Sequence, residues 1–366
     1  MRLSLRSAAI VVTGALAVGS VVGLAGPAGA AADDRSADWL SRQLTGGLVH
    51  NDQFGFDDYG LTADTAFALK EIGGQADSLR DIRTALAGHV DSWTTGVDFG
   101  SSDVYAGSTA KAVVLAQVTG ADPRSFGGVD LVQRLNGLVS SDPALAGRLR
   151  DRSDTDYANV IGQAFAVRGL AVAKSGKAGA ALRFLLAQQC ASGYFRLNFA
   201  APDAADQSCD GGKRGSTSAP DTDVTALAVL ALQALPTKST KTRAAIADAI
   251  TWLKRHQKTN GSFGGGPATE ASNSNSTGLA GWALGEAHAC AAAARAAGWV
   301  SRLQLSGNLS DTPLAGEKGA IAYDADRYAS AKQTGIGTDD RDQWRRATTQ
   351  AAPSLLFTTV SACRSR

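Results

Sequence analysis

Closely spaced aspartates are the residues of this sequence whose type and spacing could do chemistry. Two carboxyl groups can act as acid and base, or as acid and nucleophile, on a glycosidic bond. Most of the pairs stand where a loop runs into an apolar segment, and there the alternative role is to cap a helix by accepting hydrogen bonds from its free N–H groups. The pairs are Asp57/Asp58, Asp154/Asp156, Asp221/Asp223 and Asp339/Asp340.

The four cysteines are the second set of reactive groups, and they predict disulfides. An even number of cysteines in an exported chain allows two disulfides in three connectivities. We favour Cys190–Cys209, which would fasten an irregular loop, and Cys290–Cys363, which would tie the end of the chain to a helix terminus. The sequence has no CxxC or HxxxH pair, so we predict no metal site and no cofactor.

Residues 1–32 have the pattern of a cleavable secretory signal. Arg2 and Arg6 precede an uncharged run, and small residues satisfy the cleavage rule after Ala30 or after Ala32. The alternative is an uncleaved membrane anchor. We expect residues 33–366 to form a single domain that is secreted, has no stable membrane anchor and is monomeric.

Composition and charge limit the function classes. The chain is 44% hydrophobic and 19% charged, which indicates a folded protein rather than a disordered one. Its formal net charge is +2, and both excess positive charges lie in residues 1–32. The remainder is neutral overall, so it lacks the basic surface that binds nucleic acid.

An internal repeat predicts the architecture. Five Ala-rich segments are apolar nearly all round, as buried helices are, and amphipathic segments such as 249–257 lie between them. A sixth, weaker unit comprises an outer helix at 299–304 and an inner helix at 342–357. Six hairpins of an apolar inner and an amphipathic outer helix predict an all-α (α/α)6 toroid; an open solenoid is the alternative. The residues that we take as equivalent are Thr65, Thr109, Gln163, Thr225 and Thr277.

Two segments that follow outer helices resemble a known superfamily. Residues 188–195 (QQCASGYF) and 257–264 (QKTNGSFG) resemble the Gln…Gly-x-aromatic motif of the squalene cyclase-like toroids. That superfamily includes terpenoid cyclases, protein prenyltransferase β subunits with their prenyltransferase/squalene oxidase repeats, and cobalamin carriers. The resemblance covers the whole chain after residue 32 and implies the fold, but it does not select one function.

The run 221–226 (DTDVTA) resembles the Asp-x-Asp-Asp-Thr-Ala motif of class II terpene cyclases. The resemblance makes Asp223 the candidate general acid and Asp221 its neighbour, and such an acid stays protonated through burial. Val224 replaces the second of the paired carboxylates. The alternative is that Asp223 caps its own helix, as Asn275 would cap the next. Aromatic residues, which stabilise carbocations in cyclases, make up only 6% of the chain.

The long loops that precede the inner helices predict the functional surface. Residues 198–220 and 264–276 would surround one mouth of the toroid, where binding loops are common. We expect a non-catalytic toroid that binds a small apolar, isoprenoid-like ligand, or an extracellular protein or glycan, at this mouth. A class II cyclase-like enzyme and a carbohydrate-active toroid are the alternatives. The predicted ligand-binding residues are Tyr157, Tyr194, Phe195, Phe263 and Asn275.

Overall fold

Twelve helices arranged in two layers form the framework of the protein within residues 31–212 and 218–366, the part that the computed structural model describes. Residues 31–366 form one structural unit. The predicted secretory signal, except for its last two residues, lies outside the described part. None of the described helices is long and apolar enough to cross a membrane.

The elements follow one another in an almost regular alternation of outer and inner helices. The inner helices are α2 (Tyr59–Ile72), α5 (Ala106–Val118), α7 (Val160–Val172), α9 (Thr222–Gln233), α11 (Ser274–Glu286) and α14 (Thr338–Ala351). The outer helices are α1 (Ala32–Arg42), α3 (Ala76–Gly88), α6 (Leu131–Asn136), α8 (Ala178–Ala187), α10 (Thr240–His256) and α12 (Cys290–Ser301).

Shorter elements connect the two layers. The additional helices are α4 (Val90–Thr94), α13 (Ala325–Thr334) and α15 (Val360–Ser365), with 3-10 turns at Val97–Phe99, Pro143–Leu145, Cys209–Gly212 and Ala352–Phe357. Strands β1 (Leu44–Thr45), β2 (Leu48–Asn51) and β3 (Phe56–Asp57) form a small antiparallel sheet in the order β1-β2-β3. This sheet was not expected from the sequence, and it replaces part of the first loop.

The inner helices form a closed ring. Each packs against the next, from α2 through α5, α7, α9 and α11 to α14, and α14 packs against α2. Outer helices cover them: α3 packs on α2, α6 on α5, α8 on α7, α10 on α9 and α12 on α11. Because an inner helix has neighbours on both sides and an outer helix behind it, its sequence is apolar nearly all round, which confirms the predicted toroid.

A repeated hydrogen bond attaches the preceding loop to the inner helix in five of the six units. A backbone N–H of the loop donates to a threonine hydroxyl or glutamine carbonyl near the start of the helix, over 2.8–3.1 Å. Thr65, which we took as equivalent, instead lies 3.2 Å from Thr349, so Thr62 is the correct residue of the first repeat. The accepting residues, called here the anchor residues, are Thr62, Gln163, Thr225, Thr277 and Thr348. Thr109 holds the corresponding place on α5.

A second repeated contact joins successive outer helices in the later units. The Gln189 amide donates to the Gly193 carbonyl (2.9 Å) and to the Ala245 carbonyl of α10 (2.8 Å). Gln257 makes the same two bonds, to its own loop and to α12. These are the two segments whose sequence resembles the cyclase repeats, so the motif holds outer helices together.

The last of these contacts closes the ring of outer helices. The Gln304 amide donates to Ser36 of α1 (2.7 Å), and Gly319 packs on the same helix with a φ of 102°. A Cβ atom at Gly319 would lie 2.0 Å from the Arg35 carbonyl oxygen, so only glycine fits there. The end of the sixth unit therefore rests on the first outer helix.

Both predicted disulfides form. Cys190–Cys209 fastens the loop that precedes α9, and Cys290–Cys363 joins the start of α12 to α15. The sixth unit differs from the prediction. Its outer helix, α12, ends at Ser301, and its inner helix begins at Thr338 rather than at residue 342 and continues as a 3-10 turn to Phe357.

Candidate functional site

A cavity of about 260 Å³ lies at the centre of the ring. Every inner helix contributes to its wall the residue two positions beyond its anchor residue, because that position faces the axis of the ring. The wall is mostly apolar and is completed by residues one helical turn further on, including Phe67, Leu230 and Trp282. The six residues of this level are Asp64, Lys111, Phe165, Leu227, Leu279 and Gln350.

One side of the cavity carries a compensated charge pair. The Lys111 ammonium lies 2.9 Å from the Asp64 carboxylate and 5.5 Å from the centre of the Phe165 ring. The Phe165 ring stacks on Phe67 with 5.6 Å between their centres. Since the charge of Lys111 is neutralised by Asp64 and the two phenylalanine rings lie beside it, this side is a largely apolar wall.

Arg168 brings a second cationic side chain to the cavity, and it differs from Lys111. Burial lowers the pKa of Arg168, and the charge of Glu71 opposes that shift. Among the described residues, no side chain forms an ion pair or a hydrogen bond with its guanidinium group. Burial of a cation without such a partner costs free energy.

The cavity widens at the end of the toroid where the inner helices end. A depression of about 790 Å³ at that end shares Arg168, Leu230 and Trp282 with the central cavity. Glu286 and Lys238 line its outer part. The cavity therefore opens at the end of the toroid opposite to the loops at the helix starts, whereas we had predicted the mouth at those loops.

The structure separates the roles of the two aspartates at the start of α9. Asp221 is the capping residue, because its carboxylate accepts hydrogen bonds from the backbone N–H groups of Asp223 (2.9 Å) and Val224 (3.1 Å). The capping role proposed for Asp223 is therefore wrong. On α11 the cap is likewise Asn273, which accepts from Ser276, and not Asn275.

Asp223 is buried without a cationic partner. Burial raises the pKa of Asp223 to about 6, the Ser276 hydroxyl opposes this shift, and the charge of Asp221 adds to it. The Asp223 Oδ1 and Asn275 Oδ1 atoms are buried and have no hydrogen-bond partner in the described residues. Asp223 lies one helical turn before Leu227 of the cavity wall, but it is not itself part of that wall.

Three of the predicted ligand-binding aromatic residues are packed inside the protein. Phe195 and Phe263 are fully buried, and their backbone N–H groups bind the anchor residues of α9 and α11. The Tyr194 ring lies 5.6 Å from Trp252 of the outer layer, and its hydroxyl donates to the Ser218 carbonyl (2.6 Å). These side chains hold loops to helices and offer no surface to a ligand.

The other two predicted ligand-binding residues lie near the helix starts. Tyr157, in the loop before α7, is 75% exposed, which places it at the rim. Asn275 occupies on α11 the position that Asp223 occupies on α9, two residues before the anchor residue. Neither of them lines the central cavity.

The remaining aspartate pairs make local contacts. Asp58 caps α2 and pairs with Arg346. Asp156 accepts from backbone N–H groups of its own loop, and Asp340 forms a 2.7 Å ion pair with Arg327. The only group of potential metal ligands found in the described part comprises Cys190, Cys209 and Asp210, and both of its sulfur atoms are held in a disulfide.

The sequence analysis missed the residues that give the cavity its character, namely Lys111, Arg168 and Trp282. Each interrupts an Ala-rich inner segment at a position that faces the axis of the ring. A charged residue inside an otherwise apolar helix was the available signal, since such a residue is rarely buried without a role.

Solved structures of similar fold include two kinds of enzyme. The apo type II terpene cyclase MstE from Scytonema matches with a TM-score of 0.62 and 16% identity over 92% of this chain and 98% of that chain. The unsaturated glucuronyl hydrolase from Bacillus sp. GL1 matches with a TM-score of 0.59 and 10% identity over 92% and 99%. A glycosidase in complex with glucose matches with a TM-score of 0.51 and 14% identity over 90% and 96%.

The sequence itself matches no described protein family and no curated protein. At 10–16% identity, the three structural matches establish an architecture and leave the activity open. The similarity of the overall fold agrees with the observed ring of inner helices and its outer layer of helices. The chain therefore has the α/α toroid fold that terpene cyclases and these glycosidases share.

Proposed function

We propose that this protein binds a small apolar ligand in the cavity at the centre of the toroid. The observation that supports the proposal is a partly enclosed cavity to which all six inner helices contribute and whose walls include Phe67, Phe165, Leu227, Leu279 and Trp282. Binding sites for small molecules are concave and mostly apolar, with a few polar groups that orient the ligand. A volume of about 260 Å³ suits a small ligand.

Structural similarity supports an apolar ligand of isoprenoid character. A variant of the matching terpene cyclase has been solved in complex with its substrate, geranylgeranyl dihydroxybenzoate. We propose the same class of apolar ligand for this chain, without turnover. Arg168, a cationic side chain on the cavity wall that has no ion pair among the described residues, would repel a carbocation, which disfavours cyclisation.

We place the protein outside the cell. Residues 1–32 carry the pattern of a secretory signal, and two disulfides are compatible with an oxidising compartment. The ligand is then one that occurs outside the cytoplasm.

Filling the cavity tests the proposed function. We expect geraniol to bind the wild-type protein in isothermal titration calorimetry and not to bind a Leu227→Trp variant, whose larger side chain occupies the cavity. Val172→Trp is the matched control, because Val172 is 41% exposed and lies on an inner helix outside the cavity wall. Equal binding by Leu227→Trp and the wild type, with circular dichroism unchanged, would place the ligand elsewhere.

Acid catalysis by Asp223 is the second candidate function. The observation that favours it is a buried carboxyl group whose pKa is raised to about 6 and which lies one helical turn from the cavity wall. A carboxylic acid that remains partly protonated near neutral pH can protonate an alkene. Incubation with geranylgeraniol followed by gas chromatography tests it: a cyclised or hydrated product that is lost in Asp223→Asn would support catalysis, and unchanged substrate would contradict it.

A further inference from the structure

The cavity is apolar for most of its length, but its wide end presents hydrogen-bond donors. The Arg168 guanidinium lies where the central cavity meets the 790 Å³ depression, and it also lines a third depression beside α3. Trp282 borders both the cavity and the larger depression, and its indole Nε1 is buried without an acceptor among the described residues.

Arg168 and Trp282 lie at the same depth in the ring. Each stands five residues beyond the anchor residue of its helix, Gln163 on α7 and Thr277 on α11. One inner helix, α9, separates them, and it contributes the apolar Leu230 at the same depth. Guanidinium and indole nitrogens only donate hydrogen bonds, so both groups lack the same kind of partner, an acceptor.

The charges of the wide depression favour an anionic acceptor. Its cationic side chains are Arg168, Lys238 and Arg243, and the latter two donate only to neutral oxygens. Two carboxyl groups face them. Glu71 is ion-paired with Arg366 at 2.7 Å, which neutralises it.

Glu286 is the second carboxyl group of the depression. Burial raises the pKa of Glu286, Glu71 adds to the shift, and Arg366 opposes it. Because Glu71 is paired with Arg366, Glu286 is the one carboxyl group of the lining left to face the three cationic side chains. The positive charges therefore exceed the negative ones where the apolar cavity opens to solvent.

We propose that the ligand is an amphiphile with one anionic head group, whose apolar chain occupies the central cavity and whose head binds Arg168. This inference rests on the proposed function and adds the chemistry of the head group and the direction in which the ligand binds. A carboxylate or a sulfonate would accept two parallel hydrogen bonds from the planar guanidinium group. The head would also provide the charge compensation that Arg168 otherwise lacks.

Three amphiphiles with the same ten-carbon chain test the proposal: 1-decanol, 1-decanesulfonate and decyltrimethylammonium. The charges of the two ionic probes do not change with pH, so differences in affinity report on the protein. We expect calorimetry at pH 7.5 and below micellar concentrations to show the order sulfonate, alcohol, ammonium, with the sulfonate bound most tightly. An equal affinity for all three, or tighter binding of the ammonium probe, would overturn the proposal while leaving an apolar cavity site intact.

Substitution of Arg168 identifies the group responsible. Arg168→Met keeps an unbranched apolar stem and removes the guanidinium group, and we expect it to weaken sulfonate binding by about tenfold or more, the usual effect of losing a hydrogen bond to a charged group. Binding of decanol should stay within about twofold, which shows that the variant is folded and its cavity open. Unchanged sulfonate binding by this variant would assign the head group to another site.

Two further variants complete the design. Arg168→Lys retains the charge without the planar fork, and we expect it to recover part of the sulfonate affinity. Arg255→Met removes one positive charge from the exposed face of outer helix α10, and it should bind all three probes like the wild type. If no probe binds the wild-type protein at all, the proposed apolar function itself fails, and that outcome is distinct from a loss confined to the sulfonate.

Discussion

Asp223 is a buried carboxyl group with no compensating cation, and its effect on stability can be measured. The pKa is about 6 in the folded state against 3.8 for the unperturbed group. The folded protein therefore binds more protons than the unfolded chain between these values, and stability falls as pH rises through this window. The ionised carboxylate then destabilises the fold by up to about 3 kcal/mol at neutral pH.

We expect Asp223→Asn to be more stable than the wild type at pH 7.5, by about 1–3 kcal/mol. The amide keeps the shape of the side chain and removes the charge. The difference should shrink as the pH approaches 4, where the wild-type carboxyl group is protonated. Urea denaturation of both proteins at pH 4 and pH 7.5 measures it, and a variant less stable than the wild type at pH 7.5 would show that Asp223 has a stabilising partner.

Substitution of Asp221 should lower the stability of the protein, whereas substitution of Asp223 should raise it. Its carboxylate caps α9 by accepting two backbone hydrogen bonds. Asp221→Ala should therefore destabilise the protein by about 1 kcal/mol at pH 7.5, the usual cost of losing an N-cap. The same urea titration measures the change. The assignment of the cap would be contradicted if Asp221→Ala had no effect on unfolding.

Sequence reasoning located this aspartate pair but assigned the cap to the wrong member. Both residues precede the same apolar run, and both side chains are of the capping type. The difference lies in the backbone, since Asp221 is extended (φ −142°, ψ 118°) while Asp223 is already within the helix. A choice between two positions two residues apart depends on tertiary contacts that the sequence pattern does not contain.

At the scale of the elements, the repeat predicted the number and order of the inner helices well, because their apolar character persists around the whole helix. The equivalent residue of the first repeat was misplaced by one helical turn, from Thr62 to Thr65. Residues three apart share a helix face, so the pattern cannot distinguish them. The small sheet at 44–57 escaped prediction because its strands are two to four residues long.

Two glycines of one loop test how the ring closes. Gly319 and Gly316 both have a positive φ, 102° and 85°, but only a Cβ atom at Gly319 would meet the backbone of α1, whereas nothing lies within 4 Å of a Cβ atom at Gly316. Gly316→Ala should cost about 1 kcal/mol of unfolding free energy, the strain of the left-handed backbone. Gly319→Ala should cost at least about 3 kcal/mol, because its Cβ would meet the Arg35 carbonyl oxygen and displace the loop from the first helix.

Equilibrium unfolding in urea, monitored by circular dichroism, measures both glycine variants. The comparison isolates the helix contact, since the backbone strain is common to both. Equal losses would mean that the loop moves away from α1 without cost, and that this contact does not help to close the ring.

For the molecule as a whole, closure of the ring explains why the chemistry of the cavity could not be predicted from the net charge of the sequence. The net charge after residue 32 is zero, and a single half-buried cation such as Arg168 does not register in that sum. Arg168 lines a cavity only because six inner helices close around one axis. Proximity in the cavity arises between residues that are far apart in the chain, such as Asp64 and Gln350.

The two disulfides act on the whole molecule through the unfolded chain, and they should do so unequally. Cys290–Cys363 spans 73 residues and Cys190–Cys209 spans 19. A longer closed loop removes more conformational entropy from the unfolded state, and the difference between these two loops amounts to about 1 kcal/mol. Each bridge should contribute about 2–5 kcal/mol in total.

We therefore expect the double variant Cys290→Ser/Cys363→Ser to be less stable than Cys190→Ser/Cys209→Ser, and both to be less stable than the wild type. The longer bridge also holds α15 on α12, which brings Arg366 to Glu71 at the wide end of the cavity. Its loss should therefore speed hydrogen exchange in α15 beyond the change in global stability. Urea denaturation and exchange mass spectrometry measure the two effects. If the short bridge proved the more important, native contacts around Cys209 would outweigh chain entropy, and the loop before α9 would be the main stabilising element.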